Sequence, residues 1–101
     1  MYRQLLGSGR LVLARNWRGG GGELDLVARS GGKLRFIEVR AWSEAERDSL
    51  HSLTSGKVAR LRRAAEAFLM TYAEPFDEAC FCLAVVRGDE VRWVDHPFDA
   101  A

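Results

Sequence analysis

Cysteine, histidine, long apolar runs and net charge are all scarce in this sequence. Cys80 and Cys82 are the only cysteines in 101 residues, which excludes a disulfide scaffold. They stand two apart, point to one face of a predicted strand and are badly placed for a mutual disulfide. They read as reduced core thiols. His51 and His96 are isolated, so a zinc site lacks its partners. No apolar run approaches the ~20 residues that a membrane-crossing helix needs. The opening residues 1–7 are too few and too polar for a signal peptide, so a cytoplasmic protein with no membrane attachment is expected. Fifteen Lys and Arg against 14 Asp and Glu leave a net charge of +1. Taken whole, that number disfavours a strongly basic nucleic-acid binder. Neither an internal repeat nor a linker divides the chain, and its length predicts one domain over residues 1–101.

What charge there is lies unevenly. Residues 1–63 hold 13 Lys and Arg against six acids, a net +7, residues 64–73 hold −1, and residues 74–101 hold −5. A basic front and an acidic tail suggest a face for an anionic partner; an ordinary mixed surface gives the same numbers. Thirteen of the 15 basic residues are Arg, the better fork for phosphate, although a GC-rich genome also favours Arg. Hydrophobic residues at 48% and charged residues at 29% mark a globular chain.

Residues 2–8 read as the end of a short helix stopped by Gly7 and Gly9, and residues 10–16 as a strand. The run Gly19–Gly22 reads as a loop. Residues 23–29 alternate, with Leu24, Leu26 and Ala28 on one face and Glu23, Asp25, Val27 and Arg29 on the other. A turn at Ser30-Gly31-Gly32 leads into a strand over 33–41, which completes a hairpin. Residues 42–53 read as loop. Over 55–73, Val58, Leu61, Ala65, Phe68 and Tyr72 recur at three- and four-residue steps, one face of a helix. Thr54 or Ser55 can cap it, and Pro75 lies just past its end. Strands over 80–87 and 90–95 form a second hairpin around Gly88-Asp89. The order predicts a small α/β layer fold with a mixed sheet.

Glu23 and Asp25 share one side of their strand, and Glu38 and Arg40 share one side of the next. Three carboxylates and a guanidinium can therefore meet on one side of a hairpin. A cross-strand ion pair that only stabilises the hairpin fits the same pattern. Lys57, Arg60, Arg62 and Arg63 crowd the start of the long helix, where positive charge opposes the macrodipole. An anionic partner explains them; so does a solvated face. Ser55-Gly56-Lys57 lacks the upstream glycine of a P-loop. Trp17 and Trp42 could stack on unpaired bases or pack at strand ends, and Trp93 reads as core. The four glycines fit either a close nucleic-acid backbone or a floppy hairpin loop.

Residues 13–18 (LARNWR), 22–29 (GELDLVAR) and 36–40 (FIEVR), continued by 54–57 (TSGK), 61–65 (LRRAA), 91–94 (VRWV) and Phe98, jointly resemble the YraN-like family of bacterial proteins. That family is placed in the restriction-endonuclease-like, PD-(D/E)xK superfamily and is similar to archaeal Holliday-junction resolvases. The likeness spans roughly residues 10–98 and rests on the joint pattern, not on any one motif. It implies a restriction-endonuclease-like core, a mixed sheet of about five strands in the order α-β-β-β-α-β-β with a truncated N-terminal helix.

The resemblance also implies roles. Asp25 and Glu38 would hold Mg²⁺ or Mn²⁺ with the backbone carbonyl of Val39 between them. Glu23 would be an accessory acid, and Arg40 would stand where the superfamily's Lys steadies charge. Arg40 stays protonated, so it can fork a phosphate but cannot act as a general base. Arg15, Arg18, Lys57, Arg60 and Arg63 are the candidate nucleic-acid contacts, and DNA, branched or flapped, is the implied partner. Two further departures from the family pattern stand out. The chain begins downstream of a Gly-Glu pair that relatives carry on a fuller first helix, and Cys82 replaces an acid. The alternative reading keeps the fold and the basic helix in a binding module that hydrolyses nothing and forms a homodimer through the face left bare by the short helix.

Overall fold

Alternating apolar and polar residues, punctuated by glycine pairs, fold the first half of the chain into an up-and-down meander. The computed structural model describes residues 10–41 and 55–95. Strand β1 (Leu11–Gly19) pairs antiparallel with β2 (Gly22–Ser30), and β2 pairs antiparallel with β3 (Lys33–Ala41). Helix α1 (Ser55–Thr71) carries the chain back across the sheet, so β4 (Glu78–Arg87) lies parallel to β3. β5 (Glu90–Asp95) closes the sheet as an antiparallel hairpin partner of β4. The sheet order is β1-β2-β3-β4-β5. This is the expected small α/β domain, with a mixed five-stranded sheet and one described helix. The expected helix over 2–8, the loop over 42–53, and Thr54, Trp42, His51, His96 and Phe98 lie outside the described residues.

Two apolar layers hold these elements. On one side of the sheet, Leu61, Ala64, Ala65 and Phe68 of α1 pack on Leu24, Val27 and Phe36. Trp17 meets the Phe68 ring edge-on at 5.5 Å, a contact worth about 1 kcal/mol beyond burial. On the other side, Leu26, Ala28, Ile37, Cys80, Cys82 and Ala84 form a second cluster, with Trp93 partly buried at its rim. Leu24 therefore belongs with Val27 under the helix and not with Leu26 and Ala28, a departure from simple strand alternation. β1 shows a related irregularity: its pairing with β2 shifts register between Val12 and Ala14, and Asn16 adopts a left-handed φ of 49°.

The glycine run is not a floppy loop. β1 continues to Gly19 and β2 starts at Gly22, leaving Gly20 and Gly21 as a two-residue turn with φ values of 61° and 84°, conformations that glycine enters at little cost. A Cβ on Gly22 would run into the carbonyl of Arg60, and one on Gly20 into that of Arg63. The missing side chains are therefore room for the backbone of α1. Arg63 Nε donates to the Gly20 carbonyl at 3.3 Å and ties the turn to the helix. Just past the C-terminal end of α1, Arg29 donates to Tyr72 Oη at 2.6 Å and to the Pro75 carbonyl at 2.8 Å. The helix is thus tied to the first hairpin at its middle and just beyond its C-terminal end.

Candidate active site

The site lies where β2 parts from β3. Their ladder runs from Ser30↔Lys33 to Leu26↔Ile37, while β3 stays paired with β4 through Ala41↔Val86. Past Ile37 a side chain takes over from the β2 backbone: Val39 N–H donates to Asp25 Oδ2 at 2.8 Å. A carboxylate on a backbone N–H makes a strong, charge-assisted bond. It fixes Asp25 in the gap between the strands. In a strand the N–H and carbonyl of one residue face the same neighbour, so the Val39 carbonyl also faces the β2 side.

Glu38 lies beside it, on the helix side of β3. Its side chain is 11% exposed, and Glu38 Oε1 is bridged by Lys57 Nζ at 2.8 Å from the first turns of α1. Burial pushes the Glu38 carboxyl above its ordinary 4.5; the Lys57 hydrogen bond opposes this, the Asp25 charge adds to it, and the charges of Lys57 and Arg40 oppose it. Glu23, Asp25, Glu38, Lys57, Arg60 and Leu61 line one cleft of about 200 Å³. A shallower, more open hollow of about 540 Å³ adjoins it, lined by Arg18, Gly19, Gly21, Gly22, Glu23 and Arg60. Arg18, 81% exposed, stands 3.8 Å from Glu23, a surface pair of small energetic weight.

The structure thus gathers Glu23, Asp25, Glu38, Lys57 and Arg60 in one cleft, with Arg40 close enough to act on the charge of Glu38 and Arg18 on the rim. It places two of the expected contacts elsewhere. Arg63 is engaged with the glycine turn. Arg15 pairs with Leu26, and directly opposed strand residues share a face, so Arg15 lies on the side away from α1 and the carboxylates. Cys82 pairs with Ile37 and sits in that same far layer, away from this cleft. The basic start of α1 also has an internal answer, since Glu38 takes Lys57. That contact and the glycine clearance are what sequence reasoning missed. Both join residues far apart in the chain, and the one hint was a lysine in the first turn of a helix with no acid near it.

Comparison with known proteins bears on the same residues. The model of "Uncharacterised protein family UPF0102" matches residues 2–91. The chain belongs to the UPF0102 family. It is 35% identical to a UPF0102 protein of Dechloromonas aromatica over 97% of this chain and 81% of the relative. It is 42% identical to one of Gloeobacter violaceus over 84% of this chain and 70% of the relative. A third, from Shewanella loihica, is 36% identical over 89% of this chain and 79% of the relative.

The donor set of the cleft suits a hard cation in part. Two carboxylates and a carbonyl facing the same gap are oxygen ligands of the kind Mg²⁺ accepts, and Mg²⁺ commonly takes only one or two carboxylates, keeping water and substrate phosphate for the rest. Among the described residues no three His, Cys, Asp or Glu side chains converge as a complete metal cage.

Proposed function

We propose that this chain is a nucleic-acid-binding protein of the restriction-endonuclease-like, PD-(D/E)xK class to which its YraN-like motifs point. Its activity would be a Mg²⁺- or Mn²⁺-dependent cleavage of DNA, branched or flapped, in the cytoplasm. The observation that carries this reading is the meeting of Asp25, Glu38 and Lys57 in one cleft at the parting of β2 and β3. Asp25, Glu38 and the Val39 carbonyl would hold the cation, which when bound supplies an activated water and a counter-charge for the pentavalent phosphate. The protein's own groups do the rest. Val39 N–H keeps Asp25 from turning away, and Lys57 and Arg40 favour the charged form of Glu38. Arg60 and Arg18 offer guanidinium forks to phosphates along the rim. Glu23 stands at the mouth as an accessory acid.

A second reading has one observation in its favour, Lys57 already holding Glu38 Oε1 at 2.8 Å where a cation would bind. In it the chain binds nucleic acid through the same rim and hydrolyses nothing. Fork, flap and junction DNA incubated with Mg²⁺ or Mn²⁺, and with chelator, separate the two. Asp25→Asn and Glu38→Gln are each expected to lower cleavage at least a hundredfold. Cleavage that persists in both variants overturns the site. Salt-sensitive binding with no cleavage under any metal establishes the second reading.

A further inference from the structure

Lys57 is the residue whose position says most about how the cleft works. Its ammonium sits 2.8 Å from Glu38 Oε1, while its own side chain is 40% exposed and that of Glu38 only 11%. Asp25 lies close enough for its charge to act on Glu38. A carboxylate largely shielded from water with a second one beside it favours a positive charge nearby, and α1 provides one. A divalent cation on Asp25 and Glu38 would need the same oxygen lone pairs, and its charge would repel the ammonium. Lysine is suited to yield: it is a compact charge on a flexible four-carbon stem, anchored in the first turns of a helix that need not move.

We propose that Lys57 is an exchangeable counter-ion, holding Glu38 while no divalent cation is bound and releasing it to a phosphate oxygen of the substrate when one binds. The proposal rests on the metal and DNA reading above and deepens it. It assigns to a lysine of α1 the mobile positive charge that Arg40, a rigid fork, is less suited to supply. The backbone of α1 at Arg60 is in turn held close to the hairpin by Gly22, which keeps the Lys57 stem within reach of the cleft throughout.

The chain makes the test simple, because Lys33 and Lys57 are its only lysines. Lys33 is bridged to Glu78 at 3.4 Å and serves as an internal reference. With ¹³C-lysine-labelled wild-type protein and no DNA, Mg²⁺ is expected to shift the Cε–Hε signals of Lys57 in a saturable way and to leave those of Lys33 in place. Calorimetry with Mn²⁺ is expected to show binding to Lys57→Gln tighter by about tenfold, the effect of removing one like charge ~6 Å from a divalent ion in watery surroundings. Lys57→Arg is expected to keep the wild-type affinity. Lys57 signals that stay fixed at saturating metal, or an unchanged Kd in Lys57→Gln, overturn the proposal even if the protein cuts DNA. Failure to cut DNA while the Lys57 signals respond overturns the nuclease reading alone. Absence of metal binding in both wild type and Lys57→Gln overturns both.

Discussion

Cys82 shows how much the face of a single residue decides. Its thiol donates to Asp95 Oδ1 at 3.2 Å. Burial pushes the thiol well above its ordinary range, and the Asp95 hydrogen bond and the charges of Cys80 and Asp95 push the same way. The folded chain therefore holds this proton more tightly than the unfolded chain does. The resulting stability is fully present below the ordinary thiol pKa of ~8.5 and is lost as pH rises above it. Melting temperatures taken from pH 7 to 10.5 are expected to fall, and Cys82→Ala, though less stable at pH 7, to fall less steeply. Equal slopes in the two proteins would refute the role given to this thiol. Much of the residue-level placement was legible beforehand. The pairs Glu23–Asp25 and Glu38–Arg40 follow from strand periodicity, and the structure puts three of the four in the cleft with Arg40 alongside. The face of Arg15 was not legible, because β1 slips register before it and no local pattern marks the slip. Nor was the Lys57–Glu38 bridge, which joins residues 19 apart across two elements and depends on how α1 lies over the sheet.

At the scale of elements, the first hairpin and α1 form one unit. The described strands and helix were all foreseen, with ends that moved by three residues at most. The largest shift was at the glycine run, since four residues without side chains carry no periodicity and default to a loop. Their purpose emerges only once the helix that crosses them is known. Two glycines separate this purpose from ordinary turn chemistry. Gly31 has φ 58° with nothing near a would-be Cβ, whereas Gly22 has no left-handed φ but faces the Arg60 carbonyl. Gly31→Ala is expected to cost about 1 kcal/mol, the penalty for an alanine in left-handed backbone. Gly22→Ala is expected to cost about 2–3 kcal/mol, because the helix must lift off the hairpin. Urea denaturation measures both. The Gly22 variant alone should also shift the amide resonances of Lys57 and Arg60, since only there does the cleft change shape.

For the whole molecule, a net charge of +1 conceals a polar arrangement. Arg18, Arg60 and Lys57 gather around the cleft, and the surplus of acids falls in the segment that follows α1. On the proposed DNA-binding reading, affinity for DNA, followed by fluorescence anisotropy, is expected to fall with salt with a log–log slope of about −2 to −3 for these three cations. Arg18→Glu with Arg60→Glu should weaken binding and remove about two units of that slope. Arg15→Glu, on the far face, should leave both unchanged; a loss equal to that of the double variant would put the binding face on the wrong side of the sheet. Among the described residues β1 and β5 are the edge strands of the sheet, and their construction bears on how the molecule behaves in a crowd. A free edge offers unpaired backbone groups on which another chain can grow a strand. Here β1 breaks its own regularity between Val12 and Ala14 and again at Asn16, and β5 is six residues long with Glu90 and Arg92 exposed. Neither end presents a long, flat, apolar ladder. The same slip in β1 that hid the face of Arg15 from the sequence is thus also a break of the kind that discourages edge-to-edge pairing.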